Sequence, residues 1–533
     1  MRSTPKKLLI LLISGLLALP SRGQDHQERF RAIDVLQYHF WIELSDSSDI
    51  ILGKAEIEIE FKEALERFQL DLAFDPKERT GMKVSQLTEN GKEIEFLQRD
   101  NKITLFIPRA HQGAKRSYSI NYRGIPADGL IIAANRFGDR TFFGDNWPNR
   151  GHFWLPLVDH PSDKALVEFT VSAPDHYGVV SVGEKVSEKK EHGKIHSRWR
   201  STVPLPTKLM VIGVSPFAVQ EMQSASGIPV SSWVYPQNRE EGFYDYSIAT
   251  RPLDFFESYI APYPYAKLAN VQSKTIYGGM ENASCIFYHE RTVNGKQDHE
   301  LLFAHEIAHQ WFGDAVSELD WHHIWLSEGF ATYLTDIYIE HSYGRDSFVA
   351  SMEDERQQVL AFARRRLAPI IDTTLSVSVR LLNKNSYEKA GWVLHMLRHD
   401  MGEEKFRECM RRFYEEYKFG NALTEDFREV AEAVSGKKYD SFFKQWFYRS
   451  GHPVLSAGWK KRGRKLSLSI SQHQKQHVFQ FPLEIEISGK GGKSIRKILE
   501  IKAAEQTFLL DLPFAAREIH MDPDTWLLFE EYP

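Results

Sequence analysis

Of 533 residues only two are cysteines, Cys285 and Cys409. Two thiols cannot build a disulfide scaffold or a four-cysteine zinc cluster. Excess basic charge is also lacking: 67 Lys+Arg stand against 72 Asp+Glu, so nothing suggests a nucleic-acid partner. No apolar run approaches the roughly 20 residues that a membrane-spanning helix needs. There is no low-complexity tract and no internal repeat. With 42% hydrophobic and 26% charged residues, global disorder is excluded as well. At about 100–200 residues per domain, the length argues for about three or four domains.

One apolar run does stand out, the twelve residues Leu8 to Leu19. As a helix it would reach about 18 Å, short of a bilayer core. Arg2, Lys6 and Lys7 precede it, and the small residues Ser21 and Gly23 follow. That order reads as a secretory signal peptide over residues 1–23. The expectation is an exported protein, periplasmic or extracellular, with no stable membrane anchor.

The rest of the chain changes character twice. The stretch Ala55-Glu-Ile-Glu-Ile-Glu-Phe61 alternates strictly, with Ile57, Ile59 and Phe61 on one face and three glutamates on the other. Similar runs recur to about Ser224, separated by Gly, Pro and Asn/Asp. From Arg239 to Phe447 most segments carry helical periodicity, among them Glu241–Tyr259, Glu300–Phe312, Ile324–His341, Tyr387–Arg398 and Glu403–Tyr417. After Gly451-His-Pro453 alternation returns, as in Leu483-Glu-Ile-Glu-Ile487. The expected fold is multidomain α+β, with a β domain over 24–225, a mostly α domain over 226–452 and a small β domain over 453–533.

The helical region contains His305-Glu-Ile-Ala-His309. Positions i and i+4 share a helix face, so both imidazoles can reach one ion, and Glu306 can touch a water on it without ligating. A catalytic zinc takes three protein ligands and keeps one position open. Glu328, in Trp325-Leu-Ser-Glu-Gly-Phe-Ala-Thr-Tyr333, is the third candidate, on a second helix that a turn of about eleven residues could bring back beside the first. His322 and His323 in that turn, His289 and His160 read as structural or surface residues. Asn282-Ala-Ser284 matches a glycosylation sequon.

These residues resemble the aminopeptidase N family of zinc metallopeptidases, which also contains leukotriene hydrolase. Gly278-Gly-Met-Glu-Asn282 resembles that family's exopeptidase motif, Tyr387-Glu-Lys-Ala-Gly-Trp392 its catalytic-tyrosine segment, and Pro156-Leu-Val-Asp-His-Pro161 and Gln445-Trp-Phe-Tyr-Arg-Ser-Gly-His-Pro453 two flanking elements. The resemblance implies a saddle-like first domain, a thermolysin-like catalytic domain and a C-terminal β-sandwich. It implies one zinc ion on His305, His309 and Glu328, with Glu306 as general base and Tyr387 as the donor to the oxyanion. Gly278, Gly279, Met280, Glu281 and Asn282 would bind substrate, Glu281 taking the free α-ammonium of a peptide. The implied activity is removal of N-terminal residues from peptides. A non-peptidase zinc hydrolase of the epoxide-hydrolase kind and a catalytically silent binding homologue are the alternatives.

Two departures from the family pattern stand out. Trp147 occupies the place where many members put a Gln or Glu beside the substrate amine, and Asp145, two residues away, is the carboxylate nearest in sequence. About 80 residues follow Pro453, where many members carry a large helical domain, so a three-domain arrangement with a more open cleft is expected.

Overall fold

The computed structural model describes residues 31–75, 77, 80–375 and 378–532. The leader read over residues 1–23 lies outside them.

The alternating strand Ile51–Phe61 folds as its pattern requires: Ala55, Ile57, Ile59 and Phe61 are buried, while Glu56 is exposed and Glu58 and Glu60 are half-buried. It pairs antiparallel with Ile33–Glu43 on one side and Lys115–Ile125 on the other. Ile33–Glu43 in turn pairs parallel with Lys164–Pro174. A smaller sheet, with Arg140–Gly144 and Ile212–Ser215 at its centre, adjoins this large one in sequence.

The region read as helical begins with a five-stranded mixed sheet. Its order is Ala218–Gln223, Pro229–Val234, Leu268–Ser273, Cys285–His289, Gly279–Met280. Leu268–Ser273 is buried along its whole length and pairs parallel with both neighbours. A strand covered on both faces loses the alternation that reveals strands on a sequence. The hydrogen-bonded ladder also carries Ala218–Gln223 into this sheet, which therefore straddles residue 226. The short strand Gly279–Met280 forms its edge.

The helices follow: α1 (Arg239–Tyr246), α2 (Thr250–Tyr259), α3 (Glu300–Ala308), α4 (Trp325–Tyr343), α5 (Arg345–Arg365), α6 (Ala390–Met401), α7 (Glu403–Tyr417), α8 (Thr424–Ser435) and α9 (Asp440–Trp446). The periodicity over Glu241–Tyr259 is interrupted at Ser247–Ala249. Pro252 is the third residue of α2, where a missing N–H costs no helical bond and the preceding turn cannot run through. Helix α5 shows little periodicity because it buries only Phe348, Met352, Val359 and Leu360.

The C-terminal residues form two further sheets, one holding Val454–Arg462 and Lys465–Gln472, the other Phe481–Gly489 and Ser494–Ile501. The first β region and the helical region are joined by buried polar contacts. Lys208 Nζ lies 2.7 Å from Glu318 Oε1, and Lys164 Nζ donates to the carbonyls of Asp314 (3.1 Å) and Ala315 (2.9 Å).

Candidate metal centre

Helix α3 buries Phe303 and Ala304 ahead of the motif and Ile307 and Ala308 within it. Its regular part ends at Ala308, one residue before His309, yet His309 keeps helical dihedrals (φ −57°, ψ −27°) and donates its N–H to the His305 carbonyl. The i, i+4 relation of the imidazoles therefore survives the helix end. Gly313 then turns the chain at φ +124°, where an added Cβ would sit 2.4 Å from Ser327 Oγ and 2.9 Å from His309 Nδ1. Only glycine fits that turn, which returns the chain so that Glu328 enters the first turn of α4 beside the histidines.

His305 Nε2 and His309 Nε2 lie 3.1 Å apart, and Glu328 Oε2 is 3.6 Å and 3.3 Å from them. Two ligand atoms about 2.0–2.1 Å from one tetrahedral ion are about 3.3 Å apart, so the three distances fit a single small cation. His309 Nδ1 lies 3.2 Å from the Phe312 carbonyl and 3.0 Å from Ser327 Oγ, contacts that leave Nε2 with its lone pair toward the centre. The field has the same sign as the geometry. Burial opposes charge on His309, yet the carboxylates of Glu328, Glu281 and Glu306 outweigh it and raise the imidazole pKa to about 10. A buried cluster with that surplus of negative charge is built for a cation.

Glu281, Glu306 and His309 form a second compact group, each offering one atom within 4.8 Å of the others. Burial pushes the Glu306 carboxyl well above the usual range; His309 opposes this, and Glu281 and Glu328 add to it. Glu281 is itself buried, and its Oε1 has no hydrogen-bond partner among the described residues. Gly279 lies against Glu306: a Cβ there would be 2.3 Å from Glu306 Oε1, so the edge strand touches the acid through its bare backbone. Met280 is packed into the core, and Asn282 is fully buried, which takes the sequon out of reach of a glycosyl donor.

Tyr387 sits in a π-turn, Asn385–Lys389, that leads into α6. The wider turn sets its ring parallel to His305, with centroids 6.1 Å apart. Burial first, and then Glu328 and Glu281, hold its hydroxyl well above the usual tyrosine pKa, so it stays a proton donor.

The other histidines are engaged elsewhere. His322 bonds Asp320 and the Leu375 carbonyl, His323 bonds Thr424, His289 Nδ1 accepts from Arg291 N–H, and His160 bonds Ser162. Asp145 is fully buried and spent: it pairs with Arg150 and accepts from Thr275 Oγ1 and Ile276 N–H, so it anchors the segment before Gly278. Trp147 packs edge-on against Tyr277 and Trp321. Cys285 and Cys409 are free, buried thiols.

One residue escaped the motif reading. Gln310, fully buried beside His309, donates to the Glu281 carbonyl (2.7 Å) and to Asp314 Oδ2 (2.8 Å). It accepts from Ser284 N–H (2.7 Å) and Tyr263 OH (3.0 Å). All its polar capacity is used to lock the Glu281 segment onto the motif helix. The signal was an amide in an apolar flank, since a buried amide must be satisfied.

A peptidase family M1 domain matches residues 244–446. The chain is 25% identical over 496 residues to leucyl aminopeptidase of Saccharolobus solfataricus, covering 86% of this chain and 59% of that protein. It is 29% identical over 333 residues to aminopeptidase M1-B of Oryza sativa subsp. japonica, covering 60% and 38%. It is 27% identical over 337 residues to glutamyl aminopeptidase of Rattus norvegicus, covering 60% and 35%. The matched segments thus span between about one third and three fifths of these relatives. The His–His–Glu centre and Glu281 both lie inside the matched domain, which together with these relatives supports the resemblance to the aminopeptidase N family.

Proposed function

We propose that the protein is a zinc-dependent aminopeptidase that releases the N-terminal residue of peptides. The observation that carries this reading is Glu281: a buried carboxylate with an unpartnered oxygen, held beside Glu306 and His309. It suits a free α-ammonium, which an acylated N-terminus lacks. The relatives named for leucyl and glutamyl aminopeptidase activity point the same way.

His305, His309 and Glu328 would hold one zinc ion. Zinc there would supply Lewis acidity, lowering the pKa of a bound water from about 15.7 to about 7. Glu306, raised by burial, accepts the proton of the attacking water and returns it to the departing amine. Tyr387 donates its hydroxyl proton in a hydrogen bond to the carbonyl oxygen as that oxygen becomes anionic. The edge strand Gly279–Met280 has backbone groups on its open side to align the peptide as an added strand. Gln310 acts through Glu281 by fixing that residue's backbone. We also propose that residues 1–23 are removed on export; N-terminal sequencing of the secreted protein tests this. Among the described residues no helix is long and apolar enough to cross a membrane.

The test is a panel of aminoacyl anilides, free and N-acetylated, assayed with and without a chelator. Turnover of the free set alone, lost on chelation and restored by zinc, is expected. Turnover of the acetylated set, or full activity without metal, refutes the proposal.

A further inference from the structure

Away from the metal centre, a cavity of about 550 Å³ opens where α9 and the α6–α7 corner meet the C-terminal sheets. None of the residues assigned above to metal or substrate lines it. Its volume is that of a small-molecule site, and junctions between domains are where such sites concentrate. The apolar part comes from both sides of the junction: Phe442 and Trp446 on α9, Phe481 and Ile501 on the two sheet strands, and Leu527. The Gln445 side chain ties these sides together, accepting from Gln480 N–H (2.7 Å) and donating to the Gln480 carbonyl (3.1 Å).

The charges around the cavity decide what it would take. Its acids are already engaged. Asp400 is bonded to Lys437 and Tyr439, and Glu484 faces Arg496. Asp522 accepts from Trp526 N–H and Leu527 N–H and pairs with Arg356, and Glu500 lies 3.7 Å from Lys502. Among the cations, Lys437 and Lys502 are used in those pairs, and Lys438 pairs with Glu432. Lys444 and Arg449 are the lining cations with no ion-pair or hydrogen-bond partner among the described residues. They stand on the same short stretch of chain as the aromatic floor, Lys444 within α9 between Phe442 and Trp446 and Arg449 three residues after Trp446. An apolar, aromatic floor with two uncommitted cations selects a ligand with an apolar body and one negative group; a cation would meet repulsion, and a small inorganic anion would leave the floor unused.

We propose that this junction is a binding site for an amphipathic monocarboxylate, an aryl or alkyl acid whose carboxylate meets Lys444 and Arg449 while its body lies on Phe442, Trp446 and Phe481. The same chemistry exists at the C-terminus of a peptide ending in an apolar residue, and the two sources are separable. The ligand would bridge the helical region and the C-terminal sheets, so binding raises the resistance of the chain to unfolding.

The experiment is calorimetric titration and thermal unfolding of the intact zinc-loaded protein, with its metal centre saturated by an amino-acid hydroxamate. The probes are 3-phenylpropionate, its amide, acetate, and N-acetyl-Gly-Gly-Phe. Saturable binding of 3-phenylpropionate or of the peptide, with the amide and acetate at least about tenfold weaker, is expected. Binding of the free acid identifies a small-molecule site, and binding of the peptide alone identifies a C-terminal residue as the source. K444M/R449M, which changes two side chains outside the core, is expected to lose at least about tenfold in affinity while its anilide turnover is unchanged. Val478→Trp, at a residue 39% exposed on the cavity wall, obstructs the cavity from the sheet side and provides a second variant. Equal binding of acid and amide overturns the proposal, as does undiminished binding by K444M/R449M, binding that appears only when the hydroxamate is omitted, or no binding by either acid.

Discussion

Lys208→Met tests how the first β region is fastened to the helical region. Lys208, on the turn Thr207–Leu209, and Glu318, on the short strand Ser317–Glu318, are 2.7 Å apart with side chains 1% and 0% exposed. Burial works against the ammonium, but Glu318 and then Glu281 more than offset it and raise its pKa, so the lysine stays charged. The pair gains little over a hydrophobic contact of the same shape, because both ions had to be dehydrated. Removing one partner is a different matter. In Lys208→Met the Glu318 carboxylate keeps its burial and loses its counter-ion, which costs about 3–5 kcal/mol. The double variant K208M/E318L removes both charges and is expected to recover to within about 1–2 kcal/mol of the parent. Urea unfolding followed by tryptophan fluorescence and far-UV circular dichroism measures both, the comparison being valid where the two probes coincide. The pH dependence carries a sign. With its partner gone, Glu318 has a folded pKa above its unfolded one, so the lost stability is recovered below the unfolded value and is lost again as pH rises through the folded one. The deficit of Lys208→Met is therefore smaller at pH 5 than at pH 8. A single variant costing less than about 1 kcal/mol, or a double variant no better than the single, refutes the reasoning.

Glu306→Gln keeps the ligand set and removes the proton acceptor; metal analysis should find one zinc per chain, while kcat falls about 10²–10⁴-fold. Gln310→Met deletes the four hydrogen bonds that fix the Glu281 segment. Its expected signature is a rise in KM for free-amine anilides of about tenfold, larger than the fall in kcat, with zinc content unchanged; a loss of zinc instead would show that the residue supports the ligands. Burial pushes the Cys285 and Cys409 thiols up to about 11 and about 12, so neither should react with a thiol reagent at pH 8 until the chain unfolds. Prompt labelling of either in the native protein would contradict their burial.

The order of the three regions was readable because a half-buried strand and an amphipathic helix leave different periods. Ile51–Phe61 and Glu403–Tyr417 show both on the sequence. What escaped was whatever is covered on all sides or barely covered: the fully buried strand Leu268–Ser273 and the thinly packed helix α5 leave no period to read. The candidate metal ligands come together for a local reason in one case and a global one in the other. His305 and His309 are joined by helix geometry, whereas Glu328, a candidate from its spacing, is brought beside them by the turn at Gly313.

By itself, the sequence determined the residue types of the centre, their spacing and the family they resemble, since these depend on chemistry carried within a few turns of chain. Only the tertiary structure decided which carboxylates remain free. Asp145 and Glu281 are both carboxylates within reach of the site's motifs on paper, yet Arg150, Thr275 and the Ile276 amide consume the first, while the second keeps an unpartnered oxygen. That difference is one of hydrogen-bond partners brought together from distant segments. The partners around a side chain, more than its identity, fix whether its charge is available to a substrate.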